Sequence, residues 1–158
     1  MKELDKVDIL KIKEELNPLL EKYKTTFCLQ GISKDQDPFY GIGSAFDFTH
    51  GPSKDVKKGE ELFSHFLFNL PYTNKLLKEY NMFRTRVMIQ PSKTCYTYHK
   101  DFTPRNHIPV ITNDDCLFIL EDIVYRMKEG SIYFVDTVKK HTAVNCSKKT
   151  RIHIVGNI

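Results

Sequence analysis

Residues 82–158 form a succession of short runs rich in β-branched and aromatic residues, and no other feature of the chain restricts its possible folds so strongly. The runs are "MFRTRVMIQ" (82–90), "TCYTYHKD" (94–101), "HIPVITN" (107–113), "CLFILED" (116–122), "IVYRM" (123–127), "SIYFVD" (131–136), "HTAVNC" (141–146) and "RIHIVGN" (151–157). Turn-forming pairs separate them at Pro91-Ser92, Asn113-Asp114, Glu129-Gly130 and Ser147-Lys148. Closely spaced short strands with helices only before them predict an antiparallel sandwich or barrel.

The upstream half reads differently. Residues 3–24 carry apolar side chains at roughly helical spacing, among them Ile9, Ile12, Leu16 and Leu20. Asn17-Pro18 interrupts that stripe, which predicts two short helices or one kinked one. "TTFCLQGIS" (25–33) is a strand candidate, and the Gly- and Pro-rich stretch 34–55 is a loop with a short extended piece at 39–48. Residues 38–50 have the composition of a lid or substrate wall. A second helical region is expected over 59–80, broken at Pro71 and resuming at Tyr72 or Thr73. The expected architecture is one domain over 1–158, with a mainly helical part (1–81) packed on a β core (82–158).

Several classes are excluded by composition and pattern. A chain of 158 residues can bury a core without cross-links. Its four cysteines (Cys28, Cys95, Cys116, Cys146) lack zinc spacing, and no signal-peptide pattern precedes them, so reduced thiols in a soluble, cytoplasmic protein are expected. No segment approaches the roughly 18 apolar residues of a membrane span. The net charge of +4 comes from scattered lysines, read as a solvated surface, so neither nucleic acid nor membrane is an expected partner.

Against that background "HKDFTPRNH" (99–107) stands out, with His99, Asp101, Arg105 and His107 in nine residues. In an extended strand i and i+2 face the same way, so His99 and Asp101 offer an imidazole nitrogen and a carboxylate oxygen to one ion. Such a pair is weak evidence without a third ligand. His141, which opens a later strand, is the best placed; His65 in a helix-like stretch and His50 in a loop read as structural. Two histidines and one carboxylate on one side of a metal leave three positions open, the arrangement of non-haem Fe(II) oxygenases. A bidentate 2-oxo acid would fill two and O2 the third. The far carboxylate of the acid needs a permanently charged, fork-shaped partner, for which Arg151 lies ten residues beyond His141.

With those residues in place, about the last 90 residues resemble the aspartyl/asparaginyl β-hydroxylase family of Fe(II)/2-oxoglutarate dioxygenases. The matching stretches are "LPYTNKLLKEY", "RTRVMIQPSKTCYTYHKD", "RNHIPVITN" and "YRMKEGSIYFVDTVKKHTAVNCSKKTRIHIV". The family's elements recur in order: an HxD-type pair, an RxH(I/V)P strand, a G-S-hydrophobic-D strand, a distal His and an Arg about ten residues later. The resemblance implies a mainly β double-stranded β-helix, a jelly-roll of cupin type, with N-terminal helices packed on the sheet. It implies that His99, Asp101 and His141 are the catalytic iron ligands and that Arg151 binds the distal carboxylate of 2-oxoglutarate. Arg105 and His107 would also contact the cosubstrate. The implied reaction uses Fe(II), 2-oxoglutarate and O2 to hydroxylate an unactivated C–H bond of a free amino acid or peptide side chain, releasing succinate and CO2. Some members, including the enzyme that names the family, have glycine where this chain has Asp101, so that enzyme's substrate does not carry over.

Other readings stay open at this level. His107 is either a cosubstrate contact or a buried structural histidine, and Arg105 divides evenly between site and surface. His153 shares a face with Arg151 and reads as packing, while Asn145 is balanced between structure and substrate contact. Arg84 and Arg86 alternate with apolar neighbours, which predicts that they face solvent or the barrel mouth, where an amino-acid carboxylate would be received. As rivals for the whole chain, a metal-binding cupin without oxygenase activity would keep the triad but not need Arg151. A nucleic-acid demethylase of the same superfamily would carry a second arginine where Asn157 stands, and a β-sandwich interaction module would need neither site.

Overall fold

The computed structural model describes residues 1–43 and 59–158. In chain order the elements are β1 (Lys2–Lys6), α1 (Ile9–Lys22), β2 (Phe27–Cys28), β3 (Gln30–Gly31), a 3-10 turn (Glu60–Leu62), β4 (His65–Phe66), α2 (Pro71–Glu79), β5 (Phe83–Gln90), β6 (Thr94–Cys95), β7 (Arg105–Ile111), β8 (Cys116–Leu120), β9 (Ile123–Tyr125), β10 (Ser131–Val135), β11 (His141–Asn145) and β12 (Arg151–Asn157).

Strands β5–β12 pass back and forth between two antiparallel sheets as the chain advances, with β8 and β9 forming a hairpin within one of them. The larger sheet has the order β1-β10-β7-β12-β5-β2 and the smaller β6-β11-β8-β9. The spacing of the runs predicted an antiparallel sandwich or barrel, and the arrangement is the double-stranded β-helix that the family resemblance implied. Period-2 alternation then divides the side chains of the larger sheet. Val87, Ile108, Val110, Ile152 and Ile154 point outward and are buried against Ile12 and Leu16 of α1 and Leu77 of α2. Gln90, His107, Arg151 and His153 point the other way, into the space between the sheets. That space is only partly apolar: Phe118, Leu120, Tyr133, Val135 and Ala143 close part of it.

α1 is a single helix that contains Pro18 rather than two pieces. Pro18 is exposed, so the carbonyl freed by its missing N–H faces water. Asp8 caps the helix by accepting from Lys11 N at 3.2 Å. At α2, Pro71 occupies the first turn, where its lack of an N–H costs nothing. The next two amides donate to Glu15 of α1, Tyr72 N to Oε1 at 2.7 Å and Thr73 N to Oε2 at 2.8 Å. One carboxylate therefore caps a neighbouring helix and fixes the two helices together.

Two expectations fail upstream of residue 82. Residues 59–70 are not helical but form a 3-10 turn and β4, and the charged stretch Lys2–Lys6 is an edge strand paired with β10. The N-terminal part thus supplies both edges of the larger sheet, β1 and β2, as well as the helices. Its expected extended piece at 39–48 falls partly outside the described residues; 39–43 are turn and irregular chain. Among the described residues, no helix is long and apolar enough to cross a membrane. The four cysteines are unpaired, Cys28 and Cys116 buried and Cys95 and Cys146 exposed.

A bulge in β5 matters for the site. Pairing with β12 jumps from Val155↔Arg86 to Asn157↔Phe83, and Arg84 takes a left-handed backbone (φ +47°). Opposite the bulge, a Cβ on Gly156 would lie 2.6 Å from Thr85 Oγ1 and 2.7 Å from Met82 Cε, so a side chain there would force Thr85 and Met82 to shift.

A candidate metal centre

His99, Asp101 and His141 come together at the mouth of the barrel, with one possible ligand atom from each lying within 4.8 Å of the others. The main chain sets the spacing. His99 and His141 form an isolated antiparallel bridge, with His99 N donating to His141 O at 3.0 Å and His141 N to His99 O at 2.8 Å. Their rings lie 4.4 Å apart between centroids. Asp101 is held by its own amide, which donates to Thr137 O at 2.8 Å, and Thr137 Oγ1 in turn donates to Thr103 O at 2.7 Å.

Each ring has a defined orientation. His99 Nδ1 is 2.6 Å from Thr97 O, and His141 Nδ1 is 2.9 Å from Lys139 O. A carbonyl only accepts, so Nδ1 carries the proton in both rings and Nε2 presents a lone pair. The Nε2 atoms point at Asp101, 3.8 Å from Oδ1 for His99 and 3.3 Å from Oδ2 for His141. Oδ2 is buried without a donor. Two imidazole lone pairs and an unsatisfied carboxylate oxygen facing one point are a donor set that a divalent cation would complete. Burial pushes the Asp101 carboxyl up, but His141, the Arg105 guanidinium and His99 outweigh it and hold the pKa down at about 2. The carboxylate is therefore ionised at neutral pH.

The other expected site residues surround this cluster. Arg105 Nη2 is ion-paired with Asp101 Oδ1 at 2.7 Å, so it orients the candidate ligand. Arg151, 3% exposed, is held by two partners: Nη1 donates to Gln90 Oε1 at 3.2 Å and Nη2 to His153 Nδ1 at 2.9 Å. His153 thus orients Arg151 rather than merely packing. His107 is buried, and among the described residues neither ring nitrogen is hydrogen-bonded; its ring lies against Phe118. Burial, reinforced by Arg151, pushes the pKa of both His107 and His153 well below the usual histidine value, so both are neutral.

Arg105, His107 and Arg151 line one cavity of about 1080 Å³ together with the His99, Asp101 and His141 cluster. That volume suits a small organic ligand beside an ion. His65 is exposed on β4, away from the cluster, and His50 lies outside the described residues. Asn145 is structural: Nδ2 donates to the carbonyls of Gln90, Pro91 and Lys149, and Oδ1 accepts from Ser147.

Of the two places expected for Arg84 and Arg86, solvent and barrel mouth, the structure excludes solvent: they are 0% and 2% exposed, and Arg86 lines the cavity of the cluster. Arg84 is hydrogen-bonded to the buried Glu60 carboxylate and to the carbonyls of Gly41 and Gly43. Gln90 joins the two sheets: its amide donates to Thr94 O at 3.1 Å and Ala143 O at 3.0 Å while its oxygen holds Arg151. Gln90 escaped the sequence reading; the available signal was strand phase, since 86 and 90 share the face opposite Val87 and Ile89, whereas the bulge takes Arg84 out of that alternation.

The sequence matches the family model described as aspartyl/asparaginyl beta-hydroxylase over residues 49–158. The chain belongs to that family. Among curated relatives it is similar to the L-proline cis-4-hydroxylase of Rhizobium meliloti strain 1021, 29% identical over 97 residues that cover 55% of this chain and 35% of that protein. The chain therefore matches only about a third of that relative's length. Solved structures that align with this family member include a cupin domain from Bordetella pertussis Tohama I (TM-score 0.43, 14% identical, 48% of this chain and 79% of that one). Another is a cupin-2 domain protein from Shewanella frigidimarina NCIMB 400 (TM-score 0.38, 13% identical, 48% and 70%).

Proposed function

We propose that this chain is an Fe(II)/2-oxoglutarate-dependent hydroxylase acting on an unactivated C–H bond of a free amino acid or a peptide side chain. The observation that carries the reading is the His99, Asp101 and His141 cluster sharing one cavity with the buried guanidinium of Arg151. His99 Nε2, His141 Nε2 and a carboxylate oxygen of Asp101 would hold the iron, and Arg151 would hold the distal carboxylate of 2-oxoglutarate through its fork of donors. When bound, this pair supplies the reaction with an oxidant made from O2, at the expense of decarboxylating 2-oxoglutarate to succinate and CO2.

The chain's own contribution is position and polarity. Nδ1 hydrogen bonds to Thr97 and Lys139 hold the two rings in the ligating tautomer. Arg105 keeps one oxygen of Asp101 engaged and turns the carboxylate toward the ion. Gln90 accepts from Nη1 and His153 from Nη2 of Arg151, and each of these nitrogens keeps a second N–H for the cosubstrate. No side chain has to act as a general base. The demethylase reading is disfavoured because position 157 is a buried asparagine.

The test is an anaerobic Fe(II) titration in the presence of 2-oxoglutarate, following the weak visible charge-transfer band of a chelated 2-oxo acid. The wild type should develop the band, Asp101→Ala should lose it, and Arg151→Ala should need far more 2-oxoglutarate. Iron binding without a band would favour a metal-binding cupin that does not use 2-oxoglutarate.

A further inference from the structure

The two sheets of the barrel have four edges, β1 and β2 on the larger, β6 and β9 on the smaller. An open edge offers unpaired N–H and C=O groups to any other strand, and folded chains usually defend it with charge or brevity. β1 carries Lys2, Glu3, Asp5 and Lys6, and β2 and β6 are two residues long. β9 differs. Its Ile123 and Val124 are 56% and 49% exposed, and neither belongs to a hydrophobic cluster of the described residues.

The register of the β8–β9 hairpin decides which groups face outward. Leu120 pairs with Ile123 across the two-residue turn Glu121-Asp122, where Glu121 is left-handed (φ +53°). The pair that closes such a turn exchanges both of its hydrogen bonds, and the pairs beyond it alternate. Ile119–Val124 is therefore a non-hydrogen-bonded pair, which turns the N–H and C=O of Val124 away from β8. Asp122 and Arg126 lie two residues to either side of Val124 and are both exposed. Arg126 donates through Nε to Asp114 O at 2.9 Å and keeps its terminal nitrogens. Asp122 has no ion-pair partner among the described residues.

These positions complement themselves. We propose that β9 pairs antiparallel with β9 of a second copy of this chain, about a two-fold axis beside Val124, joining the two four-stranded sheets into one. Val124 then meets Val124 of the second copy and exchanges two backbone hydrogen bonds with it. Ile123 meets Tyr125 of the second copy, a β-branched residue against an aromatic ring. Asp122 meets Arg126 of the second copy, and the symmetry forms that pair twice. A parallel neighbour would set Asp122 against Asp122 and Arg126 against Arg126, and a neutral strand would leave both charges unanswered. The order acid, two branched apolar residues, tyrosine, base thus selects its own copy. No residue of β9 lines the cavity of the candidate metal centre, so both cavities stay open in the pair. A few edge residues from each copy bury less than about 1,200 Å², so the association is weak and set by protein concentration.

Sedimentation equilibrium of the full chain between about 10 μM and about 1 mM tests this. The wild type should pass from monomer toward dimer with a Kd on the order of 0.1 mM. Val124→Lys puts two like charges on the axis and should weaken association at least about tenfold, with circular dichroism and Tm unchanged. Asp122→Arg and Arg126→Asp should each weaken it in the same way. An equimolar mixture of those two variants should associate again, because only mixed pairs set opposite charges against each other. Amide exchange at Val124 in the wild type should slow as concentration rises. A wild type that stays monomeric at about 1 mM would mean that no second copy occupies the edge. Single charge variants that associate like the wild type, or a mixture that does no better than its components, would exclude the register. A dimer that survives Val124→Lys but is lost in Ile119→Lys would move the contact to the outer face of the smaller sheet. Each of these results overturns the proposal.

Discussion

Replacing Gln90 by methionine tests the link between the two sheets. Methionine has nearly the same length and volume, so packing is retained while three hydrogen bonds are lost. The bonds to Thr94 O and Ala143 O are neutral, worth about 1 kcal/mol each, and Ala143 O keeps its second donor, Tyr96 N at 3.0 Å. The bond from Arg151 is charge-assisted and buried, worth about 1.5–3 kcal/mol. The sum is about 3–5 kcal/mol. For a chain of 158 residues each kcal/mol moves Tm by about 2–4 °C, so the variant should melt about 6–20 °C lower. Circular dichroism melts with urea titrations of both proteins measure this directly. On the proposed function the 2-oxoglutarate needed for half-saturation should rise as well, because Arg151 loses one of its two anchors. A drop below about 2 °C with an unchanged 2-oxoglutarate requirement would refute the idea that Gln90 supports the site.

Three further outcomes are expected. Neutral, buried His107 and His153 take up protons only on unfolding, so the stability they confer is complete above pH 6.5 and is lost as pH falls below it. The two together give a slope that steepens below pH 6.5 toward a limit of about 2.7 kcal/mol per pH unit, to be read from urea titrations between pH 6.5 and 5. Glu60→Gln strips the counter-charge from the fully buried Arg84 and should destabilise the fold by about 3–5 kcal/mol in the same titrations. Glu15→Ala uncaps α2 and should cost about 2–4 kcal/mol, seen as a lower Tm and faster amide exchange at Tyr72 and Thr73.

Much of the β core was legible because each strand obeys a local rule: Val87 with Ile89, Ile108 with Val110 and Ile152 with Ile154 mark one buried face at period 2. The cluster of His99, Asp101 and His141 was legible because two of its members sit two apart and the third opens a strand. Features set by distant partners were not. Lys2–Lys6 has helix-compatible composition and becomes a strand only because β10 offers an open edge. Glu60 looks like a helix-start acid, and nothing near it in the chain points to Arg84. For Arg86 alternation gave the face but not what the face meets, since a polar strand face can meet water or line a cavity; here it lines the cavity. Arg84 sits in the bulge of β5, which alternation cannot foresee.

The backbone bridge between His99 and His141 has a consequence for competition among ions. The main chain fixes the distance between the two rings before any cation arrives, so the entropy of gathering these donors is spent during folding. A frame prepared in this way favours retention of whatever enters it, but it has little means of reshaping to penalise an unwanted guest. Affinities of nitrogen and oxygen donors rise along the divalent series from manganese to copper, and iron stands near the weak end. If the cluster is the metal site proposed, occupancy follows supply at the time of filling, and protein made in zinc-rich medium should carry zinc until it is chelated and refilled without oxygen.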